Sequence, residues 1–147
     1  MRDRQHERNS ARPENKRTAN RRRNVREPAP VKTDRAVFAA CFEHAAIGLS
    51  VTDLEGRVLE ANAAYCSITG YSESELRTHV DLQTLIHPHD LPIVLEKLQA
   101  LVAGEIPAFV FEHRYVRKDT SIEWVRNSVS IVPGQSGHTA TIAWLTQ

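Results

Sequence analysis

From residue 108 to the end, the chain reads with a period of two. Residues 108–117, 122–132 and 138–146 carry it. Only Lys118-Asp119-Thr120 and Pro133-Gly134-Gln135-Ser136-Gly137 break it. A period of two is the mark of a half-buried strand. Connections this short cannot hold a crossover, so three consecutive strands must pair antiparallel as a meander. One face of such a sheet has to be covered, and the cover must come from the residues upstream.

Those residues read as two more strands and a set of helices. Residues 47–53 and 57–61 flank the turn Asp53-Leu54-Glu55-Gly56 and form an antiparallel hairpin. Asn62 caps a helix over Ala63 to Thr69, ended by Gly70. Ser72 with Glu75 three residues on is a capping box. Asp90 is the expected N-cap of a longer helix with Pro92 in its first turn. Ile93, Val94, Leu95, Leu98, Leu101 and Val102 give that helix a broad apolar face, closed by Gly104. The order is two strands, helices, then three strands. That is an α+β domain with one antiparallel sheet and its helices on one face.

A boundary lies near residue 33. Residues 1–35 hold 12 of the 19 Lys/Arg and 5 of the 18 Asp/Glu, so the remainder of the chain carries a net charge of −6 against +7 in this segment. Residues 1–33 contain no aromatic residue, Ile or Leu, too little apolar surface to offset the entropy of ordering. They read as a disordered basic tail and linker, with Arg21-Arg22-Arg23 as its cluster. No aromatic side chain interleaves the arginines for base stacking, so a nucleic-acid role is the weakest reading. The domain spans 34–147. It opens with a flanking helix over 34–45, where Asp34 is the cap and Val37, Phe38, Cys41 and Phe42 recur at helical spacing.

Several chemistries find no residues to carry them. There is no Gly-rich phosphate loop, Gly-x-Ser-x-Gly or His-Glu-x-x-His, and no catalytic set emerges. His87-x-His89 with Asp90 lacks a fourth metal ligand and reads as a turn and a cap. Cys41 and Cys66 match no metal or disulfide spacing. No run of about 20 apolar residues offers a membrane span, and no secretory signal opens the chain. These features point to a reduced, cytoplasmic protein.

Asp53-Leu54-Glu55-Gly56-Arg57-Val58, Ala61-Asn62-Ala63-Ala64, Ile68-Thr69-Gly70-Tyr71-Ser72 and Glu75-Leu76 resemble the first half of a PAS domain. Ile86-His87-Pro88-His89-Asp90, Arg114-Tyr115-Val116-Arg117-Lys118-Asp119 and Trp124 resemble its second half. The resemblance covers residues 36–147. It implies a five-stranded antiparallel sheet in the order 2-1-5-4-3, a pocket between sheet and helices, and a homodimer formed through the leading helix. It also implies a sensory role beside a downstream signalling domain or protein, as in histidine kinases. Two departures stand out. Thr120 replaces the glycine usual after Arg-Lys-Asp, which predicts a strained or altered turn. Trp144 occupies the position of the aspartate through which many members couple to an output helix.

The resemblance also narrows the cofactor, which stays unidentified. Flavin-binding light sensors of this fold place a reactive cysteine near the position of Asp81, and no Asn-Cys-Arg follows here, which argues against a covalent flavin. Haem-binding members carry an axial histidine in the longer helix, and residues 91–103 hold none. A small-molecule ligand or a partner protein remains. Strand parity, with the inner face assigned by resemblance, nominates Ser50, Phe111, His113, Tyr115, Val125, Asn127 and Ile142 as pocket lining, with Ile68 from the short helix. Asn127 leads, because a buried amide needs several hydrogen-bond partners. Val37, Phe38, Cys41, Leu49, Val51 and Trp124 are the candidate interface residues.

Overall fold

A computed structural model describes residues 34–134 and 139–147. The expected tail, 1–33, lies outside the described residues. The helix α1 (Arg35–Glu43) comes first, followed by the hairpin β1 (Gly48–Thr52) and β2 (Val58–Ala61). Four helices follow: α2 (Ala63–Thr69), α3 (Glu73–His79), α4 (Leu82–Leu85) and α5 (Leu91–Val102). The meander β3 (Ala108–Val116), β4 (Ile122–Val132) and β5 (Thr141–Thr146) ends the chain. The sheet order is β2-β1-β5-β4-β3, and every pairing is antiparallel.

Local chemistry accounts for the helix boundaries. The Asn62 carboxamide accepts from Tyr65 N, and Gly70 ends α2 with φ +80°, a conformation glycine adopts without steric cost. Ser72 and Glu75 form both halves of the capping box on α3. Gly48 serves a different need. A Cβ there would stand 2.9 Å from Ile68 Cδ1 and 3.2 Å from the Tyr65 Cα, so its bare backbone lets α2 lie close on β1.

The core sits between the inner sheet face and the helices. Tyr65, Leu76, Leu85, Ile86, Val94, Leu101, Tyr115, Val129, Ile142 and Trp144 are fully buried there. The alternation along β4 puts Val125, Asn127 and Val129 inside and leaves Trp124, Arg126 and Ser128 outside.

Thr120 takes φ +66°, the one positive φ outside glycine among the described residues. A β-branched residue in that region costs about 1–2 kcal/mol. The β3–β4 turn holds it there through Thr120 N to Arg117 O at 2.9 Å and Arg117 N to Ser121 O at 2.9 Å. Thr120→Gly should therefore stabilise the protein by about 1 kcal/mol, raising the calorimetric Tm by roughly 3–6 °C. An unchanged or lower Tm would show that the turn carries no strain.

Asp90 departs from expectation. It stands at the N-cap position of α5, but its side chain makes no cap bond. Its carboxylate instead takes the Arg114 guanidinium in two bonds, NH2 to Oδ1 at 2.7 Å and Nε to Oδ2 at 3.0 Å. Arg114 N adds a third at 2.9 Å. A charge-assisted fork is stronger than a neutral cap bond, so the carboxylate turns toward β3. The Arg114 hydrogen bonds hold the Asp90 carboxyl down to about 2. That is below its unfolded value near 4, so the stabilisation is complete above about pH 4 and is lost as pH falls toward 2. Asp90→Asn should lower stability at pH 7 by about 2 kcal/mol. It should also flatten the acid limb of the stability–pH curve between about pH 4 and 2. Urea titrations across that range would show both effects, and a parallel pair of curves would exclude the linkage.

Candidate functional site

The inner face of the sheet holds an unusual density of buried polar side chains. Ser50, Thr52, His113, Asn127 and Thr146 are each at most 2% exposed. Register brings two of them together, Asn127 facing Thr146 across β4–β5, and sets Phe111 opposite Asn127 across β3–β4. The Asn127 amide donates to the Tyr115 hydroxyl at 2.7 Å and lies 3.4 Å from His113 Nε2. His113 stacks on Phe111, with ring centroids 5.5 Å apart, and Tyr65 closes over Tyr115 edge-on at 6.3 Å. Ser50 Oγ, His113 Nδ1, Asn127 Oδ1 and Thr146 Oγ1 have no hydrogen-bond partner among the described residues.

The electrostatics of this cluster are those of neutral groups. Burial pushes the His113 imidazole below its ordinary value and the Tyr65 and Tyr115 phenols above theirs. At neutral pH the set therefore offers uncharged donors and acceptors. It can orient a polar group by hydrogen bonds.

The structure does not gather all the nominated pocket residues in one place. Ser50, His113, Tyr115 and Asn127 share the polar cluster, with Phe111 stacked at its border beneath the Lys97 ammonium, 5.7 Å from the ring centroid. Ile68 and Val125 line a separate cleft of about 280 Å³ with Arg117 and Trp124. Ile142 belongs to a third place, a cavity of about 370 Å³ between the 53–56 turn, α4 and α5. Along β5, Ile142 and Thr146 are about 13 Å apart. Trp144 stands between them on the same face, 1% exposed, its Nε1 donating to Thr52 Oγ1 at 3.1 Å. The indole thus divides the interior into a polar end and an apolar end. Parity along a strand assigns faces but not positions along them, so the residues expected in one pocket fall in three places.

The nominated interface residues fall into two groups. Val37 and Phe38 are 51% and 66% exposed on α1, and Cys41 is exposed beside them. No residue of α1 is buried. Leu49 and Val51 are half-buried on the outer sheet face, where Trp124 is 66% exposed beneath the Arg114 guanidinium, 5.4 Å from its ring.

Asn62, a helix cap by its sequence position, is also a connector. It is fully buried, and its side chain makes four hydrogen bonds. Oδ1 accepts from Leu49 N and Tyr65 N, both at 2.9 Å. Nδ2 donates to Phe42 O at 2.9 Å and Ile47 O at 3.0 Å. A single amide thereby ties the end of α1 to β1 and α2.

This architecture has many counterparts. A domain of a sensory box histidine kinase/response regulator from Geobacter sulfurreducens superposes with a TM-score of 0.62 at 25% identity, over 75% of this chain and 90% of that one. The PAS domain of a Colwellia psychrerythraea protein superposes at 0.65 with 21% identity, over 75% of this chain and 92% of that one. The family model described as PAS fold matches residues 58–145. The chain belongs to the PAS fold family. Relatives of this PAS domain occur within larger signalling proteins. It is 35% identical over 100 residues to the probable diguanylate cyclase DgcE of Escherichia coli, covering 68% of this chain and 9% of that protein. It is 32% identical over 97 residues to the sensor histidine kinase TmoS of Ectopseudomonas mendocina, covering 66% and 10%. The chain thus spans about a tenth of the curated relatives it matches. It is a module of the sensory signalling type. Among the described residues no helix is long and apolar enough to cross a membrane.

Proposed function

We propose that this PAS domain is a cytoplasmic sensory module that works as a homodimer, with α1 as the element that meets the second copy and reports the state of the core. The state of α1 carries the reading. A helix of nine residues with no buried side chain is too short to hold itself in water, and its exposed Val37, Phe38 and Cys41 need a cover. A second copy of α1 suits the charges. Packed antiparallel, Arg35 at one end meets Glu43 of the second copy at the other, and the middle of the helix is uncharged. The free Cys41 and Cys66 fit a reducing compartment.

The relay would be a population shift between two packings of α1 on the core. A small molecule inside the domain, or a partner on its surface, biases them, and Asn62 is the joint. A downstream signalling partner then reads α1. Because a buried Trp144 stands where many members carry the coupling aspartate, the output route at the β5 end differs from the common one. Binding of a partner without any ligand is the second reading, and the exposed Trp124 favours it.

Light scattering on the full chain tests the dimer. The wild type should have the mass of two chains, and the double variant Val37→Glu/Phe38→Glu the mass of one. Equal masses would refute the role of α1. Both substitutions are on the surface, so the fold is expected to persist.

A further inference from the structure

We propose that the cavity between the 53–56 turn, α4 and α5 is a binding site for a small, uncharged, apolar molecule. This rests on the sensory reading and names the ligand class that reading leaves open. The site is distinct from the polar cluster around Asn127, and Trp144 stands between them.

The lining sets the class. Leu54, Leu82, Leu95, Leu98, Val102 and Ile142 supply its walls. Its volume of about 370 Å³ falls in the range of small-molecule sites. No Lys, Arg or His lines it. Its two charged residues, Glu55 and Asp81, are both acidic. Asp81 accepts from Thr84 N and Oγ1, each at 2.8 Å, and Glu55 lies 3.6 Å from the Arg57 guanidinium. An anion would meet two carboxylates with no compensating cation. An ammonium group would lose its hydration among the apolar walls, and Glu55, 70% exposed, would repay little of it through a solvent-screened pair. At the mouth, Leu95 and Val102 remain 36% and 42% exposed, apolar surface on α5 that a bound apolar molecule would cover.

The cavity is also placed to affect α1. Its floor, Ile142, is the same-face neighbour of Trp144, whose indole holds Thr52 at the end of β1. The other end of β1 is Gly48 and Leu49, where Asn62 ties the strand to Phe42 of α1.

Three compounds sharing a 4-butylphenyl body separate the classes: 4-butylbenzyl alcohol, 4-butylbenzylamine and 4-butylbenzoate. Each is titrated into the full chain and followed in amide NMR spectra. The alcohol should bind at least tenfold tighter than the benzoate and tighter than the amine, with shifts concentrated at 54–56, 82–83 and 95–103. Ala103→Trp, an exposed change at the mouth, should weaken the alcohol at least tenfold without changing the Tm of the free protein. Glu55→Lys should narrow the gap between alcohol and benzoate. Preference for either ion, shifts centred on Asn127 or on the outer sheet face, or no binding of the alcohol would each overturn the assignment. The α1 light-scattering experiment is independent of these compounds. A dimer that dissociates on Val37→Glu/Phe38→Glu, together with an alcohol that does not bind, would remove this site and leave the sensory reading standing.

Discussion

Trp144→Ala should cost about 4 kcal/mol, the middle of the range for truncating a buried aromatic residue. The side chain is 1% exposed, lies between Ser50 on β1 and Val129 on β4 in the register, and separates the polar and apolar ends of the interior. Its removal opens a void and leaves the Thr52 hydroxyl without the indole donor. A small domain has about 5–15 kcal/mol of stability in all, so this variant should be close to unfolding at physiological temperature. Trp144→Phe keeps most of the volume and loses the 3.1 Å bond to Thr52. It should cost only about 1–2 kcal/mol. Urea denaturation followed by far-UV circular dichroism resolves the two variants. If both cost the same, the hydrogen bond rather than the packing dominates, and the dividing role of the indole is wrong.

Asn62→Ala should cost about 3 kcal/mol. The substitution removes a helix cap worth about 1 kcal/mol and strands the buried backbone groups the amide had satisfied. Asn62→Asp tests the direction of the bonds. The carboxylate still accepts from Leu49 N and Tyr65 N but is turned against the Phe42 and Ile47 carbonyl oxygens, which it cannot satisfy. Aspartate should therefore be at least as destabilising as alanine, though it is a better cap by propensity. A mild effect of aspartate would mean that Asn62 acts as a cap alone and does not secure α1.

The architecture was legible because strands and caps are local. Period two along 108–117 and 122–132 specified β3 and β4. Ser72 with Glu75 and Asn62 with Gly70 specified α3 and α2 from residues within one or two turns. The fold order of the sheet came from family resemblance, since no local signal says that β1 lies beside β5. What was not legible depends on distance in the chain. Asp90 reads as a cap until Arg114, 24 residues on, is brought against it. The four hydrogen bonds of Asn62 reach as far as Phe42, 20 residues back. The apolar cavity is assembled from four separate segments, 54–56, 81–83, 95–103 and Ile142, and no pattern within any one of them announces it. A hint was present in α5. Its apolar stripe was wider than the face formed by Val94, Leu98 and Leu101, the residues buried in the core, and the surplus residues Leu95 and Val102 line the cavity mouth.

The central claim is that α1 is an outward-facing element stabilised by a second copy while remaining tied to the core through Asn62. Amide hydrogen exchange of the full chain, measured across a hundredfold range of protein concentration, tests it most directly. The account predicts that the amides of α1 after its first turn, residues 39–43, gain protection as concentration rises, and that β3, β4 and β5 remain protected throughout. In Asn62→Ala, α1 should lose protection at concentrations where the wild type keeps it. Protection in α1 that is the same at every concentration would contradict the claim, as would an α1 that stays unprotected when the protein is concentrated.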